Sequence, residues 1–263
     1  MQPQLCKNCE HVFQGNFCSN CGQKTNTVRL NWHYLQDELK YTFLHINKGF
    51  LYTAKQLFIR PGDTVREFLE GKRVQHYKPI LLLFVLAGLN GLLMHFLPVE
   101  EFIYKQGNNE EAARQLKIGK NFYDWLTKNY ALYELLVLPF YALCSWLAFK
   151  KFGYNYIENI IINCFATSQR LMIGVLLFPL QYFLRNTPYF LAVSFLTVIP
   201  TFGYTIWMIV QLYKNQNTTT VFLRMLLFVF NLSLFFILLL IISVVVMVFL
   251  IKFGYIEKSI LVG

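Results

Sequence analysis

The chain has 263 residues, 56% of them hydrophobic and 14% charged, with a formal net charge of +10. Soluble globular domains carry about 25% charged residues, so this deficit excludes that class and points to a membrane protein. The basic excess is no nucleic-acid footprint, because Lys and Arg outnumber Asp and Glu by 11 to 6 over residues 1–78 and by 13 to 8 beyond them; topology and anionic lipid explain so even a spread better, and no nucleic-acid partner is expected.

Residues 1–27 are polar and carry Cys6, Cys9, Cys18 and Cys21 in the spacing C-x2-C-x8-C-x2-C. Two residues between cysteines let one tight turn aim both thiolates at a single ion, and two such knuckles complete the tetrahedral site that Zn²⁺ prefers. Gly15 and Gly22 suit the turns between and after the knuckles. Two disulfides would need an oxidising compartment and a secretory signal, and the first 28 residues hold no apolar stretch of that kind. An iron–sulfur or redox dithiol site is the other alternative. A closed Cys₄ zinc ribbon is structural rather than catalytic, since no coordination position stays open. His11 reads as a solvated loop residue, and Cys144 and Cys164 as small buried hydrophobes.

Residues 28–78 change to helical periodicity. Trp32, Leu35, Leu39, Phe43 and Ile46 share one face, with Asn31 as N-cap and Gly49 as stop. A second helix holds Phe50, Leu51, Ala54, Leu57 and Phe58 and is broken by Pro61-Gly62. Thr64 and Glu67 have capping-box spacing for a third helix, which Gly71 ends. None is apolar enough to span a bilayer. They read as interfacial helices or as a soluble hairpin packed on the zinc module. His33, His45 and His76 read as surface or interfacial residues, without a partner at ligand spacing. Arg66, Lys72, Arg73 and Lys78 are the candidate contacts to lipid or a partner, each cation worth about 1 kcal/mol near an anionic surface.

The C-x2-C…C-x2-CG-Q ribbon, then KGF at 48–50, RPG at 60–62, EGKR at 70–73 and Y-x-P at 77–79, closely resembles a family of Bacteroidota membrane proteins, the domain of unknown function numbered 3667. The resemblance covers about the first 80 residues and implies no activity. In architecture alone the chain is also similar to Yip-type five-span membrane proteins, which in eukaryotes act as trafficking adaptors.

From Pro79 onward five spans are expected, at about 79–97, 131–149, 167–184, 188–212 and 225–251. The third is read as an interfacial start followed by a span beginning near Arg170, whose side chain snorkels to the headgroups. Glu134, Glu158 and Arg170 are the intramembrane ionisable residues, read as interfacial anchors or one bundle-side ion pair. Pro139, Pro179 and Pro200 read as packing kinks or, alternatively, as breaks around a site. No hydrolase, nucleotide-binding or metalloprotease motif occurs.

The expectation is therefore an all-α multi-pass membrane protein of about five transmembrane helices with a small N-terminal Cys₄ zinc ribbon. It sits in the bacterial inner membrane with its N-terminus cytoplasmic and its C-terminus opposite. Its domains are the ribbon at 1–27, juxtamembrane helices at 28–78 and a bundle at 79–263. It is a non-enzymatic scaffold or adaptor contacting membrane lipids and a cytosolic protein, and compatible with homo-oligomers. The alternative is a transporter or channel component, with Glu134 and Arg170 lining a pathway.

Overall fold

A computed structural model describes residues 3–25, 27, 29–34, 36, 49–97 and 123–252. Most of the helix expected over Trp32–Ile46, with Lys48 and His45, lies outside the described residues, as do the 98–122 part of the long loop and the last eleven residues. Asn31 does cap the helical turn at 32–34, its Oδ1 accepting the Tyr34 N–H at 3.0 Å.

The cysteine segment forms a two-residue antiparallel pair, β1 (Gln4–Leu5) with β2 (Val12–Phe13), in the register Gln4↔Phe13. Two short helices follow, α1 (Phe50–Ile59) and α2 (Pro61–Glu70). Pro61 both stops α1 and opens α2, since a proline at N1 lacks only an N–H that the first turn cannot use. Thr64 and Glu67 are not a capping box. Thr64 lies inside α2 and donates to the Arg60 carbonyl at 2.8 Å, and Glu67 turns back to Arg60 at 3.0 Å. Gly71 ends α2 with φ 110°, as its position suggests.

The bundle comprises α3 (Pro79–Met94), α4 (Tyr130–Phe149), α5 (Tyr156–Leu184), α6 (Phe190–Leu196), α7 (Val198–Leu212) and α8 (Thr218–Lys252). Among the described residues four stretches are long and apolar enough to cross a membrane: Tyr130–Phe152, Tyr156–Leu184, Ala192–Leu212 and Thr218–Ile242. The expected first span is shorter than read. Helix α3 stops at Met94 after 16 residues, about 24 Å of rise.

The third element departs most from expectation. It is one continuous helix of 29 residues from Tyr156, and Arg170 sits at its middle rather than at its start. A true capping box starts it: the Asn155 Oδ1 accepts the Glu158 N–H at 2.8 Å, and a Glu158 oxygen accepts the Asn155 N–H at 2.7 Å. Helix α5 packs against α3 and α4 at the centre of the bundle, with Ile161, Cys164 and Phe165 fully buried. The fourth stretch is two helices that part at Thr197, which places Pro200 in the first turn of α7, where a proline costs little. Helix α8 begins at Thr218, seven residues before the expected start, and its side chains are largely exposed.

Candidate metal centre and bundle cavity

The four cysteines converge. Their sulfur atoms all lie within 4.8 Å of one another, with Cys6 and Cys21 at 3.5 Å and Cys9 and Cys18 at 3.6 Å. A tetrahedron with metal–sulfur bonds of ~2.3 Å has sulfur–sulfur edges of about 3.8 Å, so this donor set fits an ion of that kind. The two knuckles repeat one hydrogen-bond scheme. Cys6 N–H donates to the His11 carbonyl and Glu10 N–H to the Cys6 carbonyl; Cys18 N–H donates to the Gln23 carbonyl and Gly22 N–H to the Cys18 carbonyl. Each knuckle ends in a residue of positive φ, Glu10 at 58° and Gly22 at 74°. Glycine takes that conformation freely, whereas a glutamate there is strained. The His11 backbone amide holds the Cys9 thiol down to about 6, while burial pushes Cys21 up. His11 itself is exposed and outside the cluster.

The module is mounted on the helices by a few named contacts. Gln23, 4% exposed, accepts the backbone N–H groups of Arg73 and Val74 at 3.3 and 3.2 Å through one carboxamide oxygen. Arg29 makes a fork to Glu158 at 2.8 and 2.7 Å and donates to the Gly153 carbonyl at 2.6 Å. Beside it, the Asn155 amide donates to the carbonyl of the fully buried Leu30 at 3.1 Å. Glu158 is thus the shared partner of the α5 cap and of the segment leading from the cysteine module.

Helix α2 is locked to the end of α7. The Gln211 side-chain oxygen accepts the Gly62 and Asp63 N–H groups at 2.8 and 3.3 Å, and Arg66 Nη1 donates to the Gln211 and Leu212 carbonyls at 3.0 and 3.2 Å. Gly62 permits the approach: a Cβ there would stand 2.3 Å from the Leu212 nitrogen and 2.4 Å from the Met208 carbonyl oxygen. Arg66 also pairs with Asp63, which Lys214 reaches at 3.0 Å.

These facts sort the four candidate cations. Arg66, with 15% of its side chain exposed, is engaged as a structural clasp between α2 and α7. Lys72 lies 3.7 Å from Glu67. Arg73 donates to the Phe68 carbonyl and lies over the Tyr34 and Phe68 rings at 5.0 and 5.6 Å. Lys72, Arg73 and Lys78 are partly exposed. His76 also departs from expectation: it is 8% exposed, its Nδ1 has no hydrogen-bond partner among the described residues, and burial drives its pKa down to about 4.

Within the bundle, Arg170 Nη2 donates to both oxygens of Glu134 at 2.8 and 2.9 Å. The bundle-side ion pair is therefore the correct reading, and the snorkelling one is not. Arg170 lies fourteen residues after Tyr156 and Glu134 fifteen before Phe149. They are thus about 21 Å (Arg170) and about 22 Å (Glu134) from the end of the bundle that carries the cysteine module. Glu134 has 2% of its side chain exposed; Arg170 keeps 40% because it borders a cavity of about 630 Å³ among α3, α4, α5, α7 and α8. At one end of the cavity Ser145 donates to the Asn159 Oδ1 at 3.1 Å and accepts from Asn163 at 2.8 Å.

Sequence reasoning missed Gln23, Arg29, Gln211 and the cavity. Only the unusual placement of polar residues at apolar helical positions could have signalled the last.

Residues 47–90 match the family model described as "Protein of unknown function (DUF3667)". No curated protein and no solved structure matches the chain. The matched segment runs from the start of α1 through most of α3. It contains the Gly62 joint, the Arg73 attachment for Gln23, and Tyr77, whose N–H donates to Thr53 Oγ1 at 2.7 Å and whose ring meets Phe50 edge-on at 5.6 Å.

Proposed function

We propose that this chain is a non-enzymatic scaffold or adaptor of the bacterial inner membrane that holds a zinc module in fixed orientation for a cytosolic protein partner. Cys6, Cys9, Cys18 and Cys21 would hold the ion, which supplies folding free energy to a segment too short for a core. The observation that carries this reading is the mounting. Gln23 and Arg29 fasten the module at two points, to the segment after α2 and to the cap of α5. A tethered metal-binding tail needs no such fasteners; a displayed surface does.

In this reading α3 is the first of five crossings, with local bilayer thinning accommodating its length. The cysteine module faces the cytoplasm, where thiolates stay reduced. That choice puts Lys72, Arg73, Lys78, Lys150, Lys151, Lys214 and Arg224 on the same side, as the positive-inside rule requires, and the C-terminus on the other. Lys72, Arg73 and Lys78 are the cations offered to anionic lipid. Homo-oligomers would form through the exposed apolar faces of α8. The cavity beside Arg170 favours a second reading, a transporter or channel component.

The test is in-membrane crosslinking and affinity purification of the full chain, comparing wild type with Cys6→Ser/Cys9→Ser and with Gln23→Ala/Arg29→Ala. Loss of the same partner from both variants, at normal membrane abundance, supports the adaptor. An unchanged partner set in both overturns it.

A further inference from the structure

The cavity has a chemical character that narrows what it can hold. Its volume of about 630 Å³ lies in the range of small-molecule sites, and most of its wall is hydrocarbon from Leu, Ile, Met and Phe side chains. Polar groups are interspersed along it, among them Arg170 on α5 and two threonines on α7. Thr201 and Thr205 line it from α7, one turn apart, and each hydroxyl already donates to the carbonyl four residues back, at 2.7 and 2.9 Å. What they have left to offer a guest is oxygen lone pairs. Arg170 offers the opposite. Its two bonds to Glu134 both leave from Nη2, so the guanidinium keeps donors for a further oxygen.

Charge then discriminates. Arg170 is already neutralised by a carboxylate that is itself buried. A second anion would leave one uncompensated charge in a low-dielectric site, which is strongly unfavourable. A neutral head carrying both a carbonyl acceptor for Arg170 and a hydroxyl donor for the threonines meets these groups without that cost. The apolar wall takes a hydrocarbon chain. Access from the lipid phase is available beside α7 and α8, which both line the cavity but meet each other only sparsely.

We propose that the cavity among α3, α4, α5, α7 and α8 is a binding site for a neutral acylglycerol-type lipid, its ester carbonyl on Arg170 and a free hydroxyl on Thr201 or Thr205. This goes beyond the adaptor reading and does not depend on the cysteine module.

The experiment uses the full chain in nanodiscs of neutral phospholipid at pH 8, with three photoactivatable probes of equal chain length: a monoacylglycerol, the corresponding fatty acid and a headless alkane. Labelled peptides are mapped by mass spectrometry. The monoacylglycerol should label α5 or α7 peptides about fivefold more than either other probe, and unlabelled monoacylglycerol should compete. Thr201→Leu/Thr205→Leu should remove most of that preference while the alkane signal stays. Should the variant fail to fold, the wild-type competition decides alone. Stronger labelling by the ionised fatty acid would overturn the neutral-head assignment. Equal labelling by the alkane, or failure of competition, would overturn the site.

Discussion

Gln211 and Arg66 exchange helix caps. The carboxamide of Gln211 covers the open N–H groups at the start of α2, and the guanidinium of Arg66, one turn into α2, covers the open carbonyls at the end of α7. Helix ends leave such groups unpaired, and a terminus buried without partners is costly. Here two termini meet and each supplies what the other lacks. Gln211→Ala should therefore cost more than an exposed cap, about 1–2 kcal/mol, read as a lower thermal midpoint of the purified protein in detergent.

Gly62→Ala tests the same joint sterically. The added methyl would meet backbone atoms of α7 on three sides, none of which can rotate away. We expect a loss of roughly 2–3 kcal/mol and new protease cleavage around residues 60–75, without change in the bundle's helical content. A wild-type melting curve and cleavage pattern would mean that the two helices do not touch here.

The two knuckles predict opposite effects of glycine. Glu10→Gly should relieve the strain of φ 58° and strengthen metal retention, whereas Gly22→Ala should weaken it, by about 1 kcal/mol in each direction. Competition with a chromogenic zinc chelator measures both. If the four cysteines hold zinc, a chelator added to the zinc-loaded protein should open residues 3–25 to protease while the bundle stays folded.

For Glu134 and Arg170 the singles and the double should differ in kind. Removing Arg170 leaves the Glu134 charge buried and uncompensated, so Arg170→Gln alone should cost on the order of 3–5 kcal/mol, and Glu134→Gln should cost less because Arg170 borders the cavity. The double Glu134→Gln/Arg170→Gln should recover most of the loss. Additive losses in a thermal double-mutant cycle would show that the pair is not coupled.

The pH dependence follows from His76. Its folded value of about 4 lies below the unfolded 6.5, so between those values the unfolded chain binds more protons and stability falls as pH is lowered. The stability is fully present above about pH 6.5 and has been lost by about pH 4, a total of roughly 3 kcal/mol. His76→Phe should flatten that part of the profile. An unchanged slope in denaturation at pH 7, 5.5 and 4.5 would assign the acid sensitivity elsewhere.

How much of this was legible in the sequence depended on the range of the interaction. The cysteine spacing, the positive-φ Gly22 and the Gly71 stop are local, and local chemistry reads directly from neighbouring residues. Thr64 and Glu67 misled because capping-box spacing also occurs inside a helix; Pro61, already fit for N1, had fixed the start three residues earlier. The start expected for the third span fell eleven residues late because the polar residues before it were taken as a sign of water. Asn159 and Asn163 instead bond within the bundle, and Glu158 serves the cap and Arg29. Gln23, Gln211 and Arg29 act across 50 to 149 positions of chain, and no periodicity announces a partner that distant.

The exchange of caps at the end of α7 also links the bundle to the cysteine module. Helix α7 contributes Thr201 and Thr205 to the cavity wall and ends in the joint that seats α2. Helix α2 in turn runs directly to the Arg73 and Val74 amides that hold Gln23. The joint has no clearance, since Gly62 already touches backbone. The ten residues of α2 thus connect the end of α7 to one of the two points that hold the cysteine module, the other being Arg29 on the cap of α5.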